Sequence, residues 1–163
     1  MAAFLAAVLV SGTLAAAPLG AQGRRTIVVP QPLVVVAHRD LTFGNVLPGI
    51  PTAIDARDVV HAALFEIQGP EDAAVRVEFV LPTALTASGS GVLPIAFSAN
   101  DGNAAHTLTP SASGFSPHLP LISTLGTGGR IYVRLGGTVQ PGLPQVGGAY
   151  TATIYLTVYD IST

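Results

Sequence analysis

The sequence lacks cysteine and lysine, and charged residues occupy only 10% of its 163 positions. The absence of cysteine excludes disulfides, thiolate metal ligands and thiol nucleophiles, so the folded chain depends on packing and strand pairing for its stability. Soluble globular chains usually carry about 25% charged residues. We therefore expect threonine, serine, glutamine and asparagine to keep the surface soluble, and we expect part of so uncharged a surface to form an interface.

The balance of charge also excludes one class of partner. Seven basic residues, all of them arginine, stand against nine acidic residues, which gives a formal net charge of −2. Proteins that bind nucleic acid need a concentrated basic surface to attract the phosphates. We therefore expect no nucleic-acid partner.

Glycine and proline are plentiful, with 18 and 13 copies spread along the chain without a period. Hydrophobic residues make up 49% of the sequence, which is too many for a disordered chain. The absence of a Gly-X-Y repeat excludes a collagen-like one. This composition predicts many short strands separated by turns and disfavours long helices.

The N-terminus is predicted to be a signal peptide over residues 1–23. Residues 1–10 (MAAFLAAVLV) are almost wholly apolar, and small residues follow them, although a basic region ahead of the apolar run is missing. The alternative is a transmembrane anchor. Polar residues at 11–13 and Pro18 break the apolar run short of the roughly 20 residues that span a bilayer. We therefore expect a secreted protein without a transmembrane anchor, which passes through the periplasm to the cell surface or an extracellular filament.

Apolar residues then alternate with period two in several stretches, as in strands with one buried face. Turn sequences such as Pro48-Gly49 and Gly147-Gly148 separate these stretches. The segment 55–64 is the best helical candidate, with one helical turn at most. Short strands with this punctuation predict an antiparallel β-sandwich or barrel, and we favour an immunoglobulin-like sandwich. The clearest stretches are 63–68, 75–81, 131–135 and, longest of all, 150–159.

The search for chemistry yields no catalytic residue, no metal ligand set and no cofactor site, so we expect no enzyme. Nucleophile elbows, phosphate-binding loops and paired carboxylates at informative spacing are missing. The turn at 100–103 (NDGN) lacks the later acidic ligand of a calcium loop. The histidines are too scattered to place two imidazoles on one metal, and we interpret them as isolated side chains: His38, His61, His106 and His118.

Three tyrosines form the one candidate ligand face. Tyr132, Tyr155 and Tyr159 fall on the polar side of the alternating stretches, where aromatic rings can hold a sugar or a partner. The alternative is that they form cross-strand pairs that stiffen an exposed face.

Two motifs carry a resemblance that covers essentially the whole chain after residue 24. Residues 40–46 (DLTFGNV), with Pro48-Gly49, and residues 148–159 (GAYTATIYLTVY) resemble motifs of a family of exported bacterial β-proteins of uncharacterised function. That family is related to spore coat protein U and to the fimbrial subunits of chaperone–usher systems. The chain departs from the spore coat pattern because it has no cysteine for the disulfide that is common there.

The resemblance implies an incomplete immunoglobulin-like sandwich over residues 39–163 that lacks its last strand. In the fimbrial relatives, the N-terminal extension of a neighbouring subunit supplies this strand, a form of β-augmentation. The implied partners are copies of the same chain, together with a periplasmic chaperone and an outer-membrane usher.

The candidate donor strand is the N-terminal extension, residues 24–38. Its aliphatic residues Ile27, Val29, Leu33 and Val35 lie on one face of an extended chain, but Pro30 and Pro32 lack the N–H groups that a ladder needs. The alternative is that residues 26–36 form the first strand of the domain itself.

Two functions therefore remain open. The first is a structural subunit of a surface filament or fimbria that assembles by donor-strand exchange of its N-terminal segment. The second is a monomeric exported cell-surface binding module, for carbohydrate for example.

Overall fold

The described part of the chain is built from antiparallel β-strands. A computed structural model describes residues 31–87 and 90–162. The predicted signal peptide, and Ile27 and Val29 of the predicted donor strand, lie outside these residues. The described residues form thirteen strands and no helix, and every pair of strands is antiparallel, which confirms the all-β prediction. Within the same ranges there is no helix with the length and apolarity to cross a membrane.

The strands, numbered in chain order, form three sheets. The first sheet, in spatial order, contains β1 (Val34–Arg39), β3 (Ala63–Gln68), β10 (Arg130–Leu135), β7 (Gly102–Ala105) and β8 (Gly114–Phe115). The second contains β12 (Tyr150–Thr151), β5 (Ala84–Ala87), β6 (Val92–Ala96), β11 (Gly137–Val139) and β2 (Thr52–Ile54). The third contains β13 (Tyr155–Asp160), β4 (Ala74–Val80) and β9 (Leu121–Thr124).

The first and third sheets pack face to face, as in a sandwich. Alternate residues of β3, β4 and β10 point into the space between them, because successive side chains of a strand face opposite ways. Phe65 of β3 meets Phe79 of β4 edge to face, with ring centroids 6.1 Å apart. The central side chains of this core are at most 1% exposed: Ile67, Val75, Val77, Leu125, Ile131 and Val133.

A second, smaller core lies beside the second sheet. Leu93 and Ile95 of β6 and Val139 of β11 form its centre. Leu41 and Phe43, from the segment between β1 and β2, pack against them. The segment 40–46 therefore acts as a cover for the second core rather than as a strand.

The longest predicted strand is in fact two strands. Residues 150–159 divide into β12, which pairs with β5, and β13, which pairs with β4. The two partner strands are separated at the same level, since β4 ends at Val80 and β5 begins at Ala84. Pro82 lies in that gap and has no N–H to donate to a ladder. The prediction of one continuous strand is wrong because alternation carries no information about the partner.

The turn between β9 and β10 extends the ladder between β3 and β10 by one hydrogen bond. The N–H of Gly69, which follows β3, donates to the carbonyl oxygen of Gly129 at 2.9 Å. Gly128 and Gly129 both have positive φ, +83° and +66°. A Cβ on Gly129 would lie 2.0 Å from the carbonyl oxygen of Gly69, whereas a Cβ on Gly128 would meet nothing within 4 Å.

These two glycines make a matched pair of variants. We expect Gly128→Ala to lower the free energy of unfolding by about 1–2 kcal/mol, the cost of a side chain on a left-handed backbone. We expect Gly129→Ala to lower the free energy of unfolding by at least about 1 kcal/mol more, because the added methyl group collides with the carbonyl oxygen of Gly69 and the shift that relieves this clash weakens the Gly69–Gly129 hydrogen bond. Urea unfolding followed by circular dichroism measures both variants. Equal losses would show that the close contact between Gly69 and Gly129 does not contribute to stability.

Candidate functional site

The edge strands β1 and β13 lie on the same side of the sandwich. A short turn joins β3 to β4, and another joins β9 to β10, so β3 lies over β4 and β10 lies over β9. In the first sheet β1 is the edge strand beside β3, and in the third sheet β13 is the edge strand beside β4. The two edge strands therefore face each other across the open side of the sandwich.

Each of these strands pairs on one side only. Within the described residues β1 pairs with β3 alone and β13 pairs with β4 alone. The backbone N–H and C=O groups on the outer side of each strand are thus left to solvent or to a partner. An edge of this kind is a template for another strand.

The inward side chains along this gap are incompletely covered. Val35 of β1 is 41% exposed, although Ile67, its neighbour across the ladder, is completely buried. Leu33, just before β1, and Leu156 and Val158 of β13 are also only partly buried against the main core. We call the gap between β1 and β13, lined by these four side chains, the seam.

The seam opens at one end into a cavity of about 1210 Å³. Ala37 of β1, Phe65 of β3 and Ile154, which precedes β13, belong to its wall, so the cavity continues the seam. The rest of the wall comes mainly from residues 40–46 and 145–153. The two motifs that are far apart in the sequence therefore meet at this cavity.

The two edge strands run in opposite directions. Val34 pairs with Gln68 and Asp160 pairs with Val75, and Gln68 and Val75 flank the turn between β3 and β4. The first residue of β1 thus lies at the same end of the seam as the last residue of β13. A strand placed in the seam would be antiparallel to one wall and parallel to the other.

The structure separates the predicted donor residues into two groups. Val35 lies in β1, opposite Ile67 of the same chain, and Leu33 packs on the core next to it. Ile27 and Val29 lie outside the described residues. β1 spans residues 34–39 and so crosses the predicted boundary between residues 38 and 39.

The three predicted ligand-face tyrosines do not share one face. Tyr155 and Tyr159 of β13 alternate with Leu156 and Val158, so they lie on the outer face of the third sheet. Tyr132 of β10 lies on the outer face of the first sheet, on the other side of the sandwich. Alternation shows on which side of its strand a residue lies, but not which sheet the strand joins.

The face that holds Tyr155 and Tyr159 is flat and amphipathic. Their side chains are 63% and 48% exposed. Arg76 of β4 lies 5.9 Å from the centre of the Tyr159 ring and forms an ion pair with Glu78. Exposed Val80 and Ile122 lie on the same face.

Side chains also hold β1 on the sheet. His38 Nε2 lies 2.7 Å from Glu66 Oε2, and Arg130 Nε lies 3.4 Å from Glu66 Oε1. Glu66 is only 5% exposed, and burial opposes its ionisation. The hydrogen bonds from His38 and Gln68 and the charge of Arg130 outweigh burial, so the pKa of Glu66 is lower than its ordinary value of 4.5.

In the segment predicted to hold one helical turn at most, residues 55–62 form a loop of turns held by two aspartates, and residues 63 and 64 begin β3. Asp58 accepts hydrogen bonds from the backbone N–H groups of His61 and Val60, which lower its pKa to about 2. The Arg57 side chain lowers the pKa of Asp55 to about 2 as well. These carboxylates are therefore occupied in shaping the loop.

Nothing in the described ranges assembles three metal-binding side chains. Comparison of the chain with protein-family models, with characterised proteins and with solved structures yields no match.

The pKa of Glu66 leads to a pH-dependent prediction. Since its pKa is lowered on folding, its ionic contacts stabilise the fold above pH 4.5 and are lost as the pH falls below that value. We expect Glu66→Gln to lower the free energy of unfolding at pH 7 by about 1–3 kcal/mol. The difference from the wild type should shrink in acid, as urea unfolding at several pH values will show. A difference that stays constant below pH 4.5 would contradict the role of these contacts.

Proposed function

We propose that the protein is a structural subunit of an exported surface filament, in which each subunit accepts a β-strand from its neighbour in the seam. The domain is then an incomplete immunoglobulin-like sandwich. The open seam between β1 and β13 carries the proposal, because it combines two unpaired edges with half-covered aliphatic side chains. One strand with alternating apolar residues would pair with the backbone and cover these side chains at once.

The donor is the part of the extension ahead of Gln31, residues 24–30 of a neighbouring copy. Leu33 and Val35 are already engaged in their own domain, which leaves Ile27 and Val29 as the apolar residues of the donor. These two residues share one face of an extended chain. The proposal therefore joins the two interpretations of the extension: its second half is the first strand of the domain, and its first half completes a neighbour.

The prolines direct the donor away from its own domain. Val29 and Gln31 each precede a proline, and proline disfavours a helical conformation of the residue before it. To enter its own seam, the chain would have to reverse direction just before β1. An extended Pro-Gln-Pro link instead carries residues 24–30 outward to a second copy. Pro32 then lies outside the donor segment and Pro30 is its last residue, where the missing N–H groups remove little from the ladder.

The proposed filament also requires a route by which the subunit is exported. A subunit with an open seam exposes apolar side chains and two strand edges before it meets its neighbour, and such edges aggregate. A periplasmic chaperone that fills the seam in transit, and an outer-membrane usher that passes the subunit to the growing filament, are the partners we propose. The signal peptide over residues 1–23 provides the route to the periplasm.

Substitutions in the donor segment test the filament. We expect the double variant Ile27→Asp with Val29→Asp to remain monomeric, because both charges would enter the apolar seam. The matched control, Thr26→Asp with Val28→Asp, adds the same charge on the opposite face and should still assemble. Light scattering of the purified proteins measures size. Deletion of residues 24–30 should also give a monomer, and a peptide of these residues should bind it and raise its melting temperature.

Two results would overturn the proposal. If the intact and truncated proteins are both stable monomers, the chain does not polymerise through this segment. If the two double variants assemble equally well, the apolar face of the donor does not enter the seam.

A second candidate function is binding of a saccharide on the outer face of the third sheet. Two exposed tyrosines with a charged pair between them, Arg76 and Glu78, offer aromatic rings and hydrogen-bonding groups on one flat surface. Aromatic rings with a polar atom are favoured at recognition surfaces.

Tyrosine variants test this second function. We expect Tyr155→Ala and Tyr159→Ala each to weaken binding of a glycan selected on an array by about tenfold, the usual cost of losing an aromatic anchor. Tyr132→Ala, on the opposite face, is the control and should bind normally. Absence of binding to any glycan, or equal loss in all three variants, would contradict a saccharide site on this face.

A further inference from the structure

Two of the arginines have no acidic partner. Among the five described arginines, Arg57, Arg76 and Arg130 each lie within 4.0 Å of a carboxylate oxygen. No carboxylate of the described residues comes within that distance of Arg39 or Arg134. In a chain with so few charges, these two guanidinium groups require an explanation.

The two arginines belong to one row across the first sheet. Arg39, at the end of β1, is paired with Leu64 of β3, and Arg134 of β10 is paired with the same Leu64. A β-bulge between Ala37 and Arg39 shifts the register of β1 at this point. Leu64 lies between the two arginines and is only 8% exposed. Residues that share a row in this way lie on the same face, here the outer one.

Arg134 is buried with its hydrogen-bonding capacity mostly unused. Arg134 is only 2% exposed, and its Nη2 donates a hydrogen bond to the carbonyl oxygen of Leu108. Nε and Nη1 are buried without a hydrogen-bond partner. Burial lowers the pKa of Arg134, and the charge of Arg39 lowers it further. The neighbourhood thus holds two positive charges and at least two unused donors.

A loop between β7 and β8 covers this position. Asn103, paired with Arg134 in the same row, is 1% exposed. Its side-chain N–H₂ donates to the carbonyl oxygens of Ser111 and Ser113 at 2.9 and 3.0 Å, and its Oδ1 accepts from the N–H of Ser111 at 3.0 Å. Asn103 and Arg134 together therefore hold the loop over the outer face.

No acidic side chain of the described residues forms an ion pair with either arginine. All nine acidic residues of the sequence lie in the described part, since residues 1–30, 88, 89 and 163 include neither aspartate nor glutamate. Glu66 is two residues from Leu64 on the same face, but its carboxylate contacts His38 and Arg130. In this structure, therefore, no carboxylate neutralises the two positive charges.

We propose that Arg39 and Arg134 form a binding site for a small oxyanion, such as phosphate, sulfate or a carboxylate. The planar guanidinium group presents paired N–H donors that match the oxygens of these anions. A buried guanidinium without a partner is strongly unfavourable, and an anion would supply both the charge and the acceptors. Because Nε and Nη1 have no contact with solvent, the half-buried side chain of Arg39 or the covering loop moves aside when the anion enters.

The site also bears on the edge strand. Arg39 is the last residue of β1, whereas Arg134 belongs to β10, two strands further into the sheet. An anion bound to both would tie the end of β1 across β3. The inference does not depend on the proposed filament, because it concerns the opposite face of β1 from the seam.

Calorimetric titration of the protein with phosphate, sulfate and acetate, in chloride buffer at constant ionic strength, tests the site. We expect saturable binding by the wild type, with the three anions showing whether a tetrahedral or a planar oxyanion is preferred. Arg39→Gln should weaken binding by about tenfold or more, the effect of one charge-assisted hydrogen bond. Arg134→Met should abolish it. Arg57→Gln removes an exposed charge elsewhere and should bind like the wild type.

Thermal unfolding separates the site from a general salt effect. Phosphate and sulfate stabilise most proteins without binding to a site, and that effect should be the same in all variants. We expect an additional, saturating rise in melting temperature in the wild type and in Arg57→Gln alone. In chloride, Arg134→Met should melt no lower than the wild type, because it removes a buried charge that lacks a partner.

Three results would overturn the site. The first is the absence of saturable binding of any of the three anions to the wild type. The second is equal binding by Arg39→Gln and the wild type, which decides the matter even if Arg134→Met fails to fold. The third is a fall in melting temperature of Arg134→Met that is the same in chloride and in phosphate, which would assign Arg134 only the task of holding the loop at Leu108.

Discussion

The unpaired outer edges of β1 and β13 are the constraint on which the proposed function depends. Each strand forms one ladder and leaves the groups on its other side without a strand partner in the described residues. A small apolar ligand could cover Val35 and Leu156, but it could not pair with two rows of N–H and C=O groups. Only an extended chain does both, which is why the geometry favours addition of a strand over a lipid or another small molecule.

The prolines of the extension become understandable once the position of β1 is known. From the sequence alone, Pro30 and Pro32 argue against a donor strand, since each removes a donor from the ladder. The structure begins β1 at Val34, beyond both prolines. They then separate two strands with different partners, one within the domain and one proposed for a neighbour. Pro30 and Pro32 therefore argue against one long donor strand, but they are compatible with a short donor that extends away from its own domain.

Local alternation could predict the strands but not their neighbours. The pattern at residues 63–68 matches β3, because the ladder with β10 stays in register along the whole strand and the bulge in the other ladder falls on β1. The same kind of pattern at 150–159 conceals a break opposite Pro82, and it places Tyr132 with Tyr155 although they lie on opposite outer faces. Burial of Glu66 and Arg134 on a polar face is equally invisible in the sequence, since it depends on distant segments. The seam exists because two strand edges have no partner strand in the described residues. A local sequence pattern cannot show which edges of a sheet stay unpaired.

Stability alone does not account for Arg134. An apolar side chain of similar length would fill the same space beneath the loop without the cost of burying a charge. The hydrogen bond to Leu108 uses only one of the donor nitrogens, and Asn103 already holds the loop by three hydrogen bonds. The positive charge of Arg39 makes the charged form of Arg134 less favourable still. The proposed oxyanion between these two cations would neutralise both charges, and it would fasten the strand that forms one wall of the seam.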